Sequence, residues 1–116
     1  MATIKSYTDI EQSKKLAKFL PIESADMFLA MNGTIPVMSK YIDDGLVTAD
    51  ETAIPCWSLA ALLSVLDFPS LTQNKEDEWE TCVPNCESEG YIEVSAGNPV
   101  DACVTLIEKL HKLNLL

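Results

Sequence analysis

The chain has 116 residues, 47% hydrophobic and 22% charged, and its eighteen acidic and eight basic residues give a formal net charge of −10. These values predict a single folded domain, residues 1–116, rather than a disordered chain. The small number of cations argues against binding nucleic acid, whose phosphates must be neutralised, and against binding an anionic membrane surface. Acidity alone is typical of a soluble protein, although a basic partner or mimicry of nucleic acid is an alternative.

The cysteines and the N-terminus predict a cytoplasmic protein. The four cysteines are Cys56, Cys82, Cys86 and Cys103. Cys56 and Cys103 fall in apolar segments, where cysteine behaves as a small hydrophobic residue. The N-terminus has no apolar signal core, and no window reaches the roughly 20 apolar residues of a membrane span. We therefore expect free thiols in a reducing compartment.

The first predicted element is a surface helix. Thr8 and Glu11 have the spacing of a capping box, in which each side chain bonds the other residue's backbone N–H. The helix that follows is expected to end at Pro21, because the residue before a proline is pushed out of the helical region.

A β-hairpin is predicted over residues 26–38, because Asn32-Gly33 is the commonest tight-turn signal. With a two-residue loop, Pro36 would stand in a hydrogen-bonded pair although it has no N–H to donate. Either the loop is longer, 31–34, or the ladder breaks at Pro36. Both alternatives place the second strand at a sheet edge.

The longest charge-free window, residues 52–66, predicts the central core helix of the fold. A helix that is apolar nearly all round is normally buried. We expect it to cover residues 55–66, with Pro55 at the first helical position. The preceding residues, 39–53, are predicted to be a loop with at most one short helical turn. The expected apolar stripe consists of Leu59, Leu62, Leu63 and Leu66.

The second half of the chain predicts another hairpin and a last helix. Residues 67–77 are polar and predicted to be a loop. Residues 78–83 and 90–96 alternate at period two and should pair antiparallel. Asn98 and Pro99 then start the final helix as N-cap and first helical residue. The predicted fold is α+β in the order α-β-β-α-β-β-α, with an antiparallel sheet of about four strands packed by the central helix.

No catalytic, metal-binding or cofactor-binding residue is predicted. Cys82 and Cys86 could start a zinc site, but a second pair of ligands is missing. Free thiols or a disulfide across the hairpin are favoured for this pair. His111, the single histidine, falls in the last turn of a helix, where an exposed histidine is ordinary.

Carboxylates crowd the second hairpin and suggest an alternative site near Trp79, Glu80 and Glu93. Paired carboxylates can perform acid–base chemistry when a pocket separates their pKa values, so an enzyme or small-molecule binder is possible here. Several of these carboxylates alternate with apolar residues, which is typical of a solvated strand face. The solvated face is the favoured interpretation.

Two segments carry a resemblance to known proteins. Residues 12–27 (QSKKLAKFLPIESADM) and 54–63 (IPCWSLAALL) resemble a family of small uncharacterised proteins from gut Bacteroidetes and their phages or mobile elements. The resemblance implies a bacterial or phage cytoplasmic setting. It implies no activity, and no site residue is carried over from it.

The function expected from the sequence is a small non-catalytic protein-interaction domain. Its partner would be another protein or a second copy of the chain, because both faces of the first hairpin strand are apolar. A carboxylate enzyme or small-molecule binder, and an acidic mimic of nucleic acid, are the alternatives. The predicted contact residues are Met27, Phe28, Met31, Pro36 and Met38.

Overall fold

The computed structural model describes residues 5–30, 35–38, 53–85 and 89–116. Within these ranges the fold is α+β, as predicted, with three α-helices and two three-stranded antiparallel sheets. The prediction of one sheet of about four strands is wrong. Each predicted hairpin gains a third strand from a segment that was expected to be helix or loop.

The chain divides into two compact units. The N-terminal unit is Tyr7–Ala61, and the C-terminal unit is Leu62–Leu116 with Lys5 and Ser6. Each unit contains one of the two sheets. The predicted loop over 39–53 falls outside the described residues except for its last position.

Helix α1, Ile10–Leu16, opens the N-terminal unit. Its N-cap is Asp9, which forms a capping box with Gln12, so the predicted pairing of Thr8 with Glu11 is wrong by one residue. The physical reason is that Thr8 is fully buried and its hydroxyl takes part in an internal cluster. The helix ends at Leu16, ahead of Pro21, and a short 3₁₀ helix, Ile22–Ser24, follows.

The first sheet has the strand order β2-β1-β3, built from β1 (Met27–Ala30), β2 (Ile35–Met38) and β3 (Ile54–Cys56). The predicted hairpin is confirmed, and among the described strands β2 lies at a sheet edge, as predicted. Leu29 is opposite Pro36. Both predicted alternatives, the longer loop over 31–34 and the ladder broken at Pro36, have this register. The turn itself, 31–34, lies outside the described residues. Helix α1 packs against β3.

The predicted central helix begins later than expected. Pro55 lies in β3 opposite Phe28, so it is not the first helical residue. Helix α2 is Leu59–Val65 and crosses the boundary between the two units. Ser58 caps the N-terminus of this helix, because its Oγ accepts a hydrogen bond from the Ala61 N–H over 3.2 Å. In the predicted stripe, Leu62 and Leu66 are buried, whereas Leu59 and Leu63 are half-buried.

The C-terminal unit contains the second sheet, in the order β4-β5-β6. Strands β5 (Trp79–Pro84) and β6 (Tyr91–Ala96) pair antiparallel as predicted. Strand β4 (Ser70–Gln73) lies in a segment predicted to be a loop, because its exposed polar residues gave no alternating signal. Among the described strands it pairs only with β5, so it occupies a sheet edge.

Helix α3, Pro99–Lys112, follows β6 and packs on β5 and β6. Asn98 is its N-cap and accepts from the Asp101 N–H over 2.9 Å, which confirms the predicted start. Lys5 adds an ion pair to Asp101 at 2.9 Å. The buried side of α3 packs on the inner face of the sheet, where Thr81, Val83 and Ile92 are buried. Among the described helices, none has the length and apolar content needed to cross a bilayer.

Candidate functional site

The residues predicted to form an interaction surface fall on the first sheet. Met27 is opposite Met38, and Pro36 shares the face of Met38 because alternate residues of a strand point the same way. Phe28 points to the opposite face. Met31 lies outside the described residues. The structure therefore brings Met27, Pro36 and Met38 together and places Phe28 on the reverse side.

The face that carries Met38 changes from buried to exposed across the sheet. Leu29 and Cys56 on β1 and β3 are buried, and Met27 is half-buried. On the edge strand, Pro36 is exposed and Met38 is 48% exposed. The sheet edge therefore presents apolar side chains to solvent.

The reverse face of the same sheet is also apolar. Phe28 on β1 stands between Val37 on β2 and Pro55 on β3, so the three residues form one row across the sheet. All three are half-buried. A sheet with one solvated face normally alternates apolar and polar residues, and β1 and β2 do not.

A carboxylate–serine pair ties β1 to the start of α2. Asp26, immediately before β1, accepts hydrogen bonds from the Ser58 N–H over 2.9 Å and from the Ser58 hydroxyl over 2.5 Å. The same hydroxyl oxygen accepts from the Ala61 N–H. The Ser58 hydroxyl therefore donates its proton to Asp26 and accepts from Ala61. Because both capacities are used within the fold, the Asp26–Ser58 pair is structural.

A buried polar cluster joins the segment before α1 to the end of β3. The Trp57 N–H donates to Thr8 Oγ1 over 3.1 Å, and the Thr8 N–H donates to the Trp57 carbonyl over 2.9 Å. Thr8 Oγ1 is also 2.8 Å from Ser13 Oγ. The Cys56 thiol donates to the Thr8 carbonyl, with 3.4 Å between sulfur and oxygen. The cluster satisfies buried polar groups that would otherwise be costly.

The Cys56 thiol is unsuited to nucleophilic chemistry. Burial raises the pKa of Cys56, while hydrogen bonds from the side chains of Thr8 and Ser13 act in the opposite direction and the Asp26 carboxylate adds to the rise. The thiolate, not the thiol, is the nucleophile. A fully buried thiol with a raised pKa is therefore a core residue in this fold.

The alternative site near Trp79, Glu80 and Glu93 is not assembled as one constellation. The alternation of β5 and the pairing of Cys82 with Glu93 place both glutamates on the outer face of the second sheet, where they are exposed. Trp79 is on the inner face with Thr81. The tryptophan therefore cannot line a pocket whose acid–base groups are these two carboxylates.

Cys82 and Cys103 are the other two cysteines in the described ranges, and both are free thiols. Cys82 is a half-buried free thiol, and Cys86 lies outside the described residues. Cys103 is buried on α3, and burial raises its pKa to about 11. Within the described ranges, no three His, Cys, Asp or Glu side chains lie close enough together to hold a metal ion.

Sequence reasoning missed the residues that fix the first sheet. Ser24 and Ser58 are isolated serines with no motif around them, and their roles depend on partners 33 and 32 residues away in the chain. Asp26 directly before an apolar strand was the one available signal. Two exposed aromatic residues, Phe68 and Tyr91, also gave no signal, because exposure is decided by the sheet and not by local sequence.

Neither a protein-family model, nor a curated protein, nor a solved structure matches this chain.

Proposed function

We propose that this chain is a small acidic, non-catalytic protein-interaction domain, and that its contact surface is the β2 edge of the first sheet. The observation that carries the proposal is the exposure of Met38 beside Pro36 on an edge strand. Met27 and Phe28, each half-buried on the neighbouring strand, extend the surface on its two faces.

An uncovered edge strand is normally unfavourable. Edge strands present unpaired backbone groups and are normally protected by charged side chains, bulges or covering segments. The sequence of β2, Ile35–Met38, contains no charge. Pro36 removes one backbone donor and so limits unspecific strand pairing, while its ring adds apolar area. These features favour a specific apolar contact over open solvent.

A bacterial cytoplasm, in a phage or mobile-element setting, is the proposed location. The likeness of residues 12–27 and 54–63 to small proteins of that origin supports this setting. The half-buried free thiol of Cys82 is consistent with a reducing compartment. The proposed partner is a protein of that compartment or a second copy of the chain.

The test is site-specific photo-cross-linking in cells that carry the native gene. A photoreactive amino acid replaces Met38, and the matched control replaces Thr72, which is exposed on the edge strand β4 of the other sheet. We expect a discrete adduct from position 38 that is absent from position 72. Mass spectrometry of the adduct distinguishes a second copy from another protein. Absence of any adduct at position 38, together with a monomeric mass by light scattering, would contradict the proposal.

A further inference from the structure

Two aromatic side chains of the C-terminal unit lie almost wholly in solvent. Phe68 is 87% exposed and Tyr91 is 70% exposed, the highest values for large hydrophobic residues in the described part of the chain. Aromatic residues supply large apolar areas that normally pack in cores or interfaces. Burial of these two rings therefore contributes little to the stability of their own unit.

The two rings belong to the same end of the second sheet. Tyr91 is opposite Pro84, which is itself exposed. Ser70, the first residue of β4, is opposite Cys82, and Phe68 precedes Ser70 by two residues. Phe68, just before β4, and Tyr91, the first residue of β6, therefore lie at the end of the sheet where β5 finishes.

The backbone of Phe68 makes this exposure more unusual. Its φ is +52°, in the left-handed region that bulky side chains rarely occupy. Asparagine or glycine adopts this conformation more readily. Phenylalanine at position 68 is thus unfavourable for the backbone conformation of the turn, and its ring is hardly buried within the unit.

The sheet face that carries Tyr91 is acidic. Tyr91 and Glu93 are alternate residues of β6 and share the outer face, and Glu80 lies on the same face of β5. The Glu80 carboxylate accepts a hydrogen bond from the Asn74 amide over 3.1 Å. The sequences of β4, β5 and β6 contain two glutamates and no lysine or arginine. Charge on this face therefore complements a cation.

We propose that the outer face of the second sheet binds an arginine-containing segment of another protein, with Phe68 and Tyr91 as stacking platforms and Glu80 and Glu93 as charge partners. A guanidinium group is planar, stacks on aromatic rings and bonds carboxylates in pairs, so it fits both halves of this surface. A lysine ammonium provides the charge without the planar stacking. The proposal uses the C-terminal unit alone and stands independently of the β2 edge.

The first test measures binding of a fluorescein-labelled nona-arginine peptide by anisotropy at about 150 mM salt, where unspecific charge attraction is reduced. We expect Phe68→Asn with Tyr91→Ser to weaken binding by about tenfold, as two lost cation–π contacts would. The same double variant should weaken binding of nona-lysine much less. Equal losses for the two peptides, or none for nona-arginine, would overturn the proposal.

A charge-matched pair of variants separates this surface from the general acidity of the chain. Glu80→Gln with Glu93→Gln removes two charges from the outer face, and Glu23→Gln with Glu76→Gln removes two exposed charges elsewhere. We expect about tenfold weaker binding for the first pair and less than about twofold for the second. Equal effects would show unspecific attraction of a polycation. Backbone amide shifts should move on adding nona-arginine at residues 80–83 and 91–93, and shifts confined to other regions would also contradict the site.

Discussion

The indole Nε1 of Trp57 donates a hydrogen bond to Ser24 Oγ over 2.9 Å, and this contact links the start of α2 to the 3₁₀ helix before β1. Trp57 is fully buried, and the Ser24 hydroxyl donates its own proton to the Pro21 carbonyl over 2.6 Å. The indole thus has the partner that a buried tryptophan requires. The Ser24 side chain thus connects the Pro21 carbonyl, ahead of β1, to the Trp57 indole.

Replacing Ser24 by alanine should destabilise the protein by about 1–3 kcal/mol, because it leaves the buried indole N–H of Trp57 without an acceptor. Urea unfolding followed by circular dichroism measures the change. Ser95→Ala, at an exposed position of β6, is the control and should stay within about 0.5 kcal/mol of the wild type. Equal stability of the two variants would show that the Trp57–Ser24 contact is not energetically important.

Adjacent leucines of α2 should respond differently to truncation. Leu62 is fully buried, so Leu62→Ala should cost about 2–5 kcal/mol through lost transfer energy and the remaining cavity. Leu63 is half-buried, and Leu63→Ala should cost clearly less. The two variants make the same chemical change in the same helix, which removes helix propensity from the comparison. A larger loss at Leu63 would mean that the helix presents its other face to the core.

The elements that the sequence predicted correctly are those with a strong local pattern. Asn98-Pro99 marked the start of α3, and alternation marked β5 and β6. The failures have a common cause, which is pairing between distant segments. Residues 54–56 are apolar like the helix that follows, and only their register with β1 makes them a strand. Strand β4 likewise exists because β5 offers it an edge.

The candidate surfaces were predictable only in part. The edge position of β2 followed from Pro36, because a missing donor is a local chemical fact. The burial of Thr8 could not be inferred, since its hydroxyl is satisfied by Ser13 and by a backbone N–H 49 residues away. The opposite faces of Trp79 and Glu80 did follow from strand alternation, but the sequence did not show which face packs under α3.

The Cys103 thiol should make stability depend on pH in the alkaline range. Burial raises the pKa of Cys103 from its usual 9.0 to about 11, with the Thr81 side chain acting in the opposite direction. The folded state therefore keeps a proton that the unfolded state releases. This contribution is complete below about pH 9 and is lost as the pH rises toward 11, by up to about 1.4 kcal/mol per pH unit.

The measurement is urea unfolding between pH 8 and 10.5 for the wild type and Cys103→Ala. The variant has a lower stability at every pH because of the cavity it creates, so the slopes are compared rather than the values. We expect a shallower decline for Cys103→Ala. Parallel declines would show that the thiol titrates normally in the folded protein.

Phe68→Asn should stabilise the protein by about 0.5–1 kcal/mol. Phenylalanine at a φ of +52° is strained, and its ring is almost fully exposed, so little burial is lost. Tyr91→Asn, at a similarly exposed aromatic in ordinary extended backbone, should not gain stability. Thermal unfolding of the two variants measures the change in stability. A destabilised Phe68→Asn would show that the ring packs within the folded unit.

The two tryptophans allow the predicted single domain to be tested against the two compact units. Trp57 lies in the N-terminal unit and Trp79 in the C-terminal unit. In Trp79→Phe, a mild change at a half-buried position, fluorescence comes from Trp57 alone, whereas far-ultraviolet circular dichroism is dominated by the long helix α3 of the other unit. One cooperative domain predicts coincident urea midpoints for the two signals. Separate midpoints would mean that the units unfold independently, and the wild type, followed by the same signals, controls for the effect of the substitution.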